Sequence, residues 1–455
     1  MNSKDIKFHS TNYNAPDVDF KTAILRGQAL DKGLYMLNKI PKLKEELIFS
    51  FNNLDIKEIS YIVLSKIIGS TIPEKKFRNI IDNALNFEIP IEKIGRNDYI
   101  CYLDRGPTCS FKDIGARHLA RIMDYFLNFE KRNIVILTAT SGDTGGAVAQ
   151  AMYKMSRIKV VVLYPKYEIS DLQRKQITTL GNNVIAIGIN GKFDDCQKFV
   201  KMAFADKDLN HVNLSSANSI NIGRLLPQII YYFWSYSRVI KDKGEKVIFS
   251  VPSGNFGNLM GGLIAYKMGL PIKKFISAVN ENDEFPKFLE TGIYKKVVPS
   301  KKCISNAMNV GHPSNLARLI DLYGGQMDES GRMHKVPSLE KIKNDIDSYS
   351  INDKLTKQTI FNFYKKYNKI IEPHGAVGWA ALQIYRTKHP ENNNYKSITL
   401  ETADPAKFSD EIISLINIIP KMPKSLFVIQ NKDELPNPIE INEYQDFKNF
   451  LKKNF

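Results

Sequence analysis

From about residue 98 onward the chain alternates two textures, and no other feature limits its fold as severely. Short β-branched apolar runs recur at 134–137, 160–163, 184–187, 247–251 and 275–279, and helical patterns fill the intervals. A strand that is apolar at every position, rather than at every second one, is buried on both faces. Strands of that kind separated by helices predict a mainly parallel sheet covered on both sides, an α/β architecture. No repeat of solenoid period occurs, and no low-complexity linker divides the chain.

The first 95 residues read differently. A short helix is predicted from Asp19, closed by Gly27, and further helical patterns run over 56–68 and 74–87. Residues 324–350 are polar and charged and read as an insertion or connecting segment, while 439–455 read as a peripheral amphipathic helix. A chain of 455 residues has room for about three domains. The expected division is a helix-rich N-terminal domain over 1–95, an α/β region over 96–430 with a smaller domain inserted at about 115–235, and a tail over 431–455.

Composition excludes several classes. At 43% hydrophobic and 25% charged the chain is an ordinary soluble globular one. No apolar run approaches the roughly 18 residues that span a bilayer. The greasiest stretch, 229–234, is short and aromatic and reads as buried core. Met1–Asp5 lacks an apolar signal region, which predicts a cytoplasmic protein. Cys101, Cys109, Cys196 and Cys303 have neither metal nor redox spacing, so reduced, buried thiols and no metal site are expected. The net charge of +16 is spread along the whole chain. With no helix-turn-helix spacing, zinc knuckle or aromatic-basic ladder, it reads as a solvated surface with some anion steering, and neither nucleic acid nor membrane is an expected partner.

Chemistry gathers in a few segments. Lys112, in Ser110-Phe111-Lys112-Asp113, opens a helical pattern through Ile114, Leu119, Ile122, Met123 and Phe126. A partly desolvated lysine at the positive end of a helix loses its proton more easily, as a Schiff-base lysine must. Two glycine-rich loops each follow a strand and open a helix: Ser141-Gly142-Asp143-Thr144-Gly145-Gly146 before a helix over 147–155, and Ser253-Gly254-Asn255-Phe256-Gly257-Asn258 before one near 259–268. Such loops let backbone amides approach an anion. Neither is a Walker A or a dinucleotide fingerprint. The polar run 215–224 ends on Arg224 and reads either as an anion site or as a capped helix with a surface arginine. His374, in a tight turn entering a helix, reads alone as structural, and Thr402 can offer a neutral hydroxyl to a ring nitrogen.

Together these blocks resemble the threonine synthases of the longer bacterial and fungal kind. The resemblance spans most of the chain, from Ser10-Thr11 and Gly33-Leu34-Tyr35, through Ser110–Asp113, 139–145, 218–224, 252–258, Ser305-Asn306-Ala307-Met308 and 372–377, to 402–408. It implies a pyridoxal-phosphate enzyme of the tryptophan-synthase-β-like fold (fold type II), with two αβα layered domains, the cofactor between them, and a helical N-terminal domain. It implies that Lys112 carries the cofactor, that Gly254, Asn255, Phe256 and Asn258 cradle its phosphate, and that Thr402 faces its pyridine nitrogen. Asp143 and its loop, with Ser141 and Thr144, correspond to the part that holds the substrate carboxylate and approaches the cofactor's O3′. Asn218, Ser219, Asn221 and Arg224 are the implied ligands of the substrate phosphate.

The implied reaction is γ-elimination of phosphate from O-phospho-L-homoserine and β-addition of water, with Lys112 as general base. A hydroxyl partner such as Thr402 is expected to leave the ring nitrogen largely unprotonated. Two departures stand out. Relatives begin Ser-Thr-Arg-Gly where this chain has Ser10-Thr11-Asn12-Tyr13, and they carry histidine at Asp404. The alternatives are a related lyase acting on another phosphorylated or hydroxy amino acid, and a basic binding protein that keeps the fold without the cofactor. Both a monomer and a homodimer fit the sequence.

Overall fold

The structure, a computed structural model, describes residues 6–436 and 438–455, so the Met1–Asp5 stretch that lacks an apolar signal lies outside it. Its two main sheets contain the five predicted apolar runs as strands, with six further strands beside them. The larger has six strands in the order Ile346–Ser350, Ile272–Val279, Val247–Pro252, Lys396–Glu401, Asp98–Tyr102 and Ile91–Lys93. All neighbours are parallel except the last pair. The smaller has five parallel strands in the order Ile439–Ile441, Val184–Ile189, Ile158–Pro165, Ile134–Ala139 and Leu214–Ser216.

The pleat explains the unbroken apolar runs. Successive side chains point to opposite faces of a sheet. In the smaller sheet Ile134, Ile136, Val160 and Val162 join the main core, while Val135, Leu137, Val161 and Leu163 join a second cluster with Ile187, Phe199 and Phe447. In the larger sheet Val247, Phe249 and Phe275 face the main core, and Ile248, Ile276 and Ala278 pack under the helix Pro373–Lys388 with Trp379 and Leu382. The central strands are two-sided walls, so helices must cover both faces.

The N-terminal helices brace this frame. The predicted short helix is Phe20–Arg26, capped by the Asp19 side chain and closed by Gly27 at φ +79°. Ile56–Ile68 packs on the aromatic helix Ile229–Val239, and Glu74–Ala84 on Lys112–Glu130. Arg117 Nε and Nη2 donate to the carbonyls of Ala84 and Asn83 at 2.9 and 2.7 Å, satisfying the end of that helix. As predicted, the 229–234 stretch is core: Tyr231, Tyr232 and Phe233 are fully buried.

Four segments differ from expectation. Residues 324–350 are not merely a connection, because Ile346–Ser350 forms the parallel edge strand of the larger sheet. Its polar residues concealed it: an edge strand needs an apolar side chain only where it faces the core, and here Ile346 alone is buried. Ile439–Phe455 is not one helix, since Ile439–Ile441 pairs with Ile187–Ile189 before the helix Tyr444–Asn454 begins. The helices after the glycine loops start earlier than predicted, at Asp143 and Gly257, because the loop residues themselves form the first turn. Among the described residues no helix is long and apolar enough to cross a membrane.

Candidate active site

Two chain segments zip together to place Lys112. Phe111 N–H donates to Thr402 O at 2.9 Å, Asp404 N–H donates to Cys109 O at 3.1 Å, and Ser110 bridges Ala403. Asp113 holds the approach, accepting from Thr108 N–H at 2.8 Å and from Thr108 Oγ1 at 2.7 Å. Lys112 is therefore delivered as the first residue of the helix Lys112–Glu130, with Thr402 across the same cavity. Its side chain is 13% exposed, enough to be reached from the cavity.

The electrostatics around Lys112 ease the loss of its proton. Burial lowers its proton affinity most, Asp143 at 3.8 Å opposes, and Lys407 and Arg224 reinforce, leaving a pKa of about 8. Asp143 is shared. Its Oδ1 receives Lys407 Nζ at 2.5 Å and Gln173 Nε2 at 3.0 Å, and Oδ2 faces Lys112. Burial alone would raise this carboxyl, but the two lysines outweigh it and hold it far below the usual carboxylate range. The loop before it is rigid: Thr140 Oγ1 accepts from Gly142 N–H and Gly145 N–H at 2.9 and 2.8 Å. Gly142 has φ +138°, and a Cβ there would meet the Gln173 carboxamide at 2.5 Å.

The second glycine loop makes an anion cradle. Phe256 adopts a left-handed conformation at φ +62°, its ring packed edge-on against Phe285, and no side chain caps the helix Gly257–Lys267 that follows. The uncapped first turn leaves backbone N–H groups for a ligand. Asn258 adds an oriented donor. Its Oδ1 accepts from Tyr231 and Tyr232 hydroxyls at 2.6 and 3.0 Å, while its buried Nδ2 has no protein partner. Gly254 is pressed against Ala307 O and Met308 Cα, each 3.0 Å from a Cβ built there.

Arg224 is buried at the start of the short helix Ile222–Leu225 and has no carboxylate partner within ion-pair distance among the described residues. Nη1 donates to Ala217 O at 2.8 Å, and Nε is left without a partner. A buried guanidinium with a free donor is a strong anion-binding group.

Twelve of the thirteen predicted site residues line one cavity: Lys112, Ser141, Asp143, Thr144, Asn218, Ser219, Arg224, Gly254, Asn255, Phe256, Asn258 and Thr402. Asn221 does not, which corrects the expectation that it binds the substrate phosphate. Its Oδ1 caps Gly223 N–H at 2.9 Å and its Nδ2 donates to Ile24 O and Ser216 O at 2.9 and 2.8 Å, so both ends of the amide are occupied inside the protein. Asp143 also differs from its expected setting: its carboxylate already serves two lysines, which leaves substrate carboxylate binding to neighbouring groups. Neither departure lines the cavity. Asn12 bonds Asp31 O and Glu329, and Asp404 caps Ala406 N–H while pairing with Arg105.

Four residues near the site escaped the motif reading. His374 lines the cavity, and its Nε2 accepts from Ala307 N–H at 3.1 Å. Lys407 was visible only as the tail of the Thr402 block. Gln228 lines the cavity from the aromatic helix segment. Arg318 is fully buried and donates to Tyr35 O, Ser219 O, Ile220 O and Asn315 Oδ1. Asn315 in turn holds Asn255 O at 3.0 Å, so one arginine ties the two anion-binding loops together. No local motif marks it, because three of its four partners are backbone carbonyls.

Known proteins share this arrangement. Residues 89–398 match the family described as "Pyridoxal-phosphate dependent enzyme", and residues 7–85 match "Threonine synthase N terminus". Threonine synthase of Buchnera aphidicola subsp. Baizongia pistaciae is 40% identical over 437 residues, covering 95% of each chain. Threonine synthase of Escherichia coli is 35% identical over 422 residues, covering 92% of this chain and 94% of that one. The crystal structure of the Escherichia coli enzyme superposes with a TM-score of 0.88 at 33% identity, covering 99% of this chain and 100% of that one. The PLP-bound threonine synthase from Brucella melitensis gives a TM-score of 0.89 at 30% identity, covering 98% and 99%. The chain therefore belongs to the pyridoxal-phosphate dependent enzymes and, within them, to the threonine synthases.

Proposed function

We propose that this chain converts O-phospho-L-homoserine and water into L-threonine and inorganic phosphate, with pyridoxal 5'-phosphate held on Lys112. The observation that carries this reading is one cavity that brings together the Lys112 amine, an uncapped helix start with the orphaned Asn258 Nδ2, and the Arg224 guanidinium. The residues fit a phosphate-bearing aldehyde. Lys112 can condense with it, the uncapped helix at Gly257 and the orphaned Asn258 Nδ2 suit its phosphate, and Thr402 offers a hydroxyl to its ring. The second set, Arg224 with Asn218 and Ser219, suits the phosphate of the substrate.

When bound, the cofactor withdraws electrons from the substrate carbons, chemistry that belongs to the coenzyme. The chain's own groups do the rest. Ser141, Thr144 and the loop amides orient the substrate carboxylate. Lys112 Nζ, as free amine, removes the Cα proton and serves the later proton transfers. Arg224 stabilises the charge gathering on the phosphate as it leaves Cγ. Water then adds at Cβ, and protons returned to carbon complete threonine. Asp143, anchored by Lys407, lies 3.8 Å from Lys112 and orients its amine within the cavity.

The same reading supports a helix-rich domain over 1–95, an α/β region over 96–430 with the smaller domain at about 115–235, and a tail over 431–455. A cytoplasmic setting accords with four buried, unpaired cysteines.

Product analysis tests the proposal. Incubation with O-phospho-L-homoserine should release threonine and phosphate in equal amounts. Release of 2-oxobutyrate in place of threonine would move the chain to a related lyase. A colourless purified protein without turnover after cofactor addition would defeat the reading.

A further inference from the structure

Gly115 stands where a good helix former would be expected. It is the fourth residue of the helix Lys112–Glu130, one turn past Lys112, and glycine weakens a helix interior relative to alanine. The absent side chain permits a close approach. A Cβ built on Gly115 would lie 2.6 Å from Arg224 O and 3.2 Å from Arg224 Nε. The nearer of these is a backbone atom, so no side-chain rotation relieves the clash. Arg224 O is also held by Gln228, whose Nε2 donates to it at 3.0 Å.

The contact is reciprocal. A Cβ built on Gly223, the residue before Arg224, would lie 2.7 Å from Leu119 Cδ1 and 3.1 Å from Ile24 Cδ1. Leu119 is one turn beyond Gly115 on the same helix, and both Leu119 and Ile24 are fully buried. Each segment thus offers a glycine to the other, and their backbones meet at a separation that no larger residue allows. Interiors packed this closely transmit a small displacement rather than absorb it.

These two segments carry the groups that meet opposite ends of the substrate. Lys112 works at Cα, and Arg224 receives the phosphate carried on Cγ. Residues three apart on a helix are separated by about 4.5 Å along its axis, so the Arg224 backbone is docked within one turn of Lys112. We propose that Gly115 is a specificity-determining residue: by fixing how close Arg224 stands to Lys112, it restricts the site to amino acids that carry their phosphate on the γ carbon. This rests on the reading of Arg224 as the ligand of the substrate phosphate. Gly115 itself does not line the cavity, so it acts through Arg224. A methyl group at position 115 pushes Arg224 away from the helix, lengthens the span and favours a longer substrate.

The test is a chain-length series of phosphonates bound to the holoenzyme and followed by its visible absorbance. 2-Amino-5-phosphonopentanoate has as many bonds between Cα and phosphorus as O-phospho-L-homoserine, with carbon in place of the ester oxygen, so it has no phosphate to lose. 2-Amino-4-phosphonobutanoate and 2-amino-6-phosphonohexanoate are one methylene shorter and longer. Wild type should bind the middle homologue most tightly, by about tenfold per methylene. In Gly115→Ala its advantage over the longer homologue should fall by about tenfold, while the affinity for pyridoxal phosphate stays at the wild-type level. Leu119→Val slackens the interlock under Gly223 and should also flatten the preference. If Gly115→Ala does not fold, an unchanged preference in Leu119→Val overturns the proposal. An equal loss for all three homologues in Gly115→Ala, or a wild type that binds the middle and longer homologues alike, overturns this inference alone. Phosphonate affinity that survives Arg224→Ala overturns the placement of the substrate phosphate and the inference together.

Discussion

Lys407 Nζ lies 2.5 Å from Asp143 Oδ1, and both side chains are buried. This pair decides how Lys112 behaves. Asp143 on its own would hold Lys112 as an ammonium, but Lys407 has already engaged that carboxylate and adds its own positive charge. Replacing Lys407 with Met should therefore raise the proton affinity of Lys112. A shift of one unit changes the neutral fraction about tenfold. Capture of pyridoxal phosphate by the apoprotein, followed by absorbance against pH, should shift its acid limb upward by about one unit. Superimposable profiles for Lys407→Met and wild type would contradict this reading.

Arg224 offers a second, independent test. Its unpartnered Nε and buried position suit the substrate phosphate, not the cofactor. Hydrogen bonds to charged groups contribute about 1.5–3 kcal/mol. Arg224→Ala should raise KM for O-phospho-L-homoserine by about ten- to a hundredfold while leaving the cofactor absorbance intact. Equal loss of substrate and cofactor binding would remove Arg224 from the substrate site.

Arg318 should act on both loops at once. Its loss leaves the carbonyls of Tyr35, Ser219 and Ile220 unpaired, at about 1–3 kcal/mol for each buried group. Arg318→Met should lower unfolding stability by more than about 3 kcal/mol and weaken the affinities for cofactor and substrate together. Denaturant titration and cofactor binding measure the two effects. A variant that loses neither would refute the tie.

Glu284 predicts a pH effect on stability. Burial raises its carboxyl to about 8 from an ordinary value near 4.5. The folded state then holds a proton that the unfolded chain releases. The contribution is complete below about 4.5 and is lost as pH rises through about 8, at a slope of about 1.4 kcal/mol per unit. Glu284→Gln should remove that slope, so the variant gains on wild type as pH rises. Parallel stability curves would contradict the assignment.

How much of this was legible in the sequence depends on how local each signal is. The strands 134–139 and 247–252 announced themselves because both faces are buried, which forces continuous apolar residues. Ile346–Ser350 did not, because an edge strand can be polar on its open side. Lys112, Asp143 and the 253–258 loop were readable from local chemistry: glycine-rich turns between a strand and a helix, and a lysine at a helix start. Asn221 misled because an amide that caps a helix looks the same in sequence as one that binds a ligand. Lys407 and Arg318 were invisible as site residues, since each acts through contacts between segments remote in the chain.

The central claim is a covalent one, and borohydride reduction of the freshly purified yellow protein followed by peptide mass mapping tests it most directly. The peptide containing Lys112 should carry the phosphopyridoxyl mass, and Lys112→Ala should lose the label and turnover together. Active protein with an unlabelled Lys112 peptide, or with the label on Lys407 instead, would contradict the account.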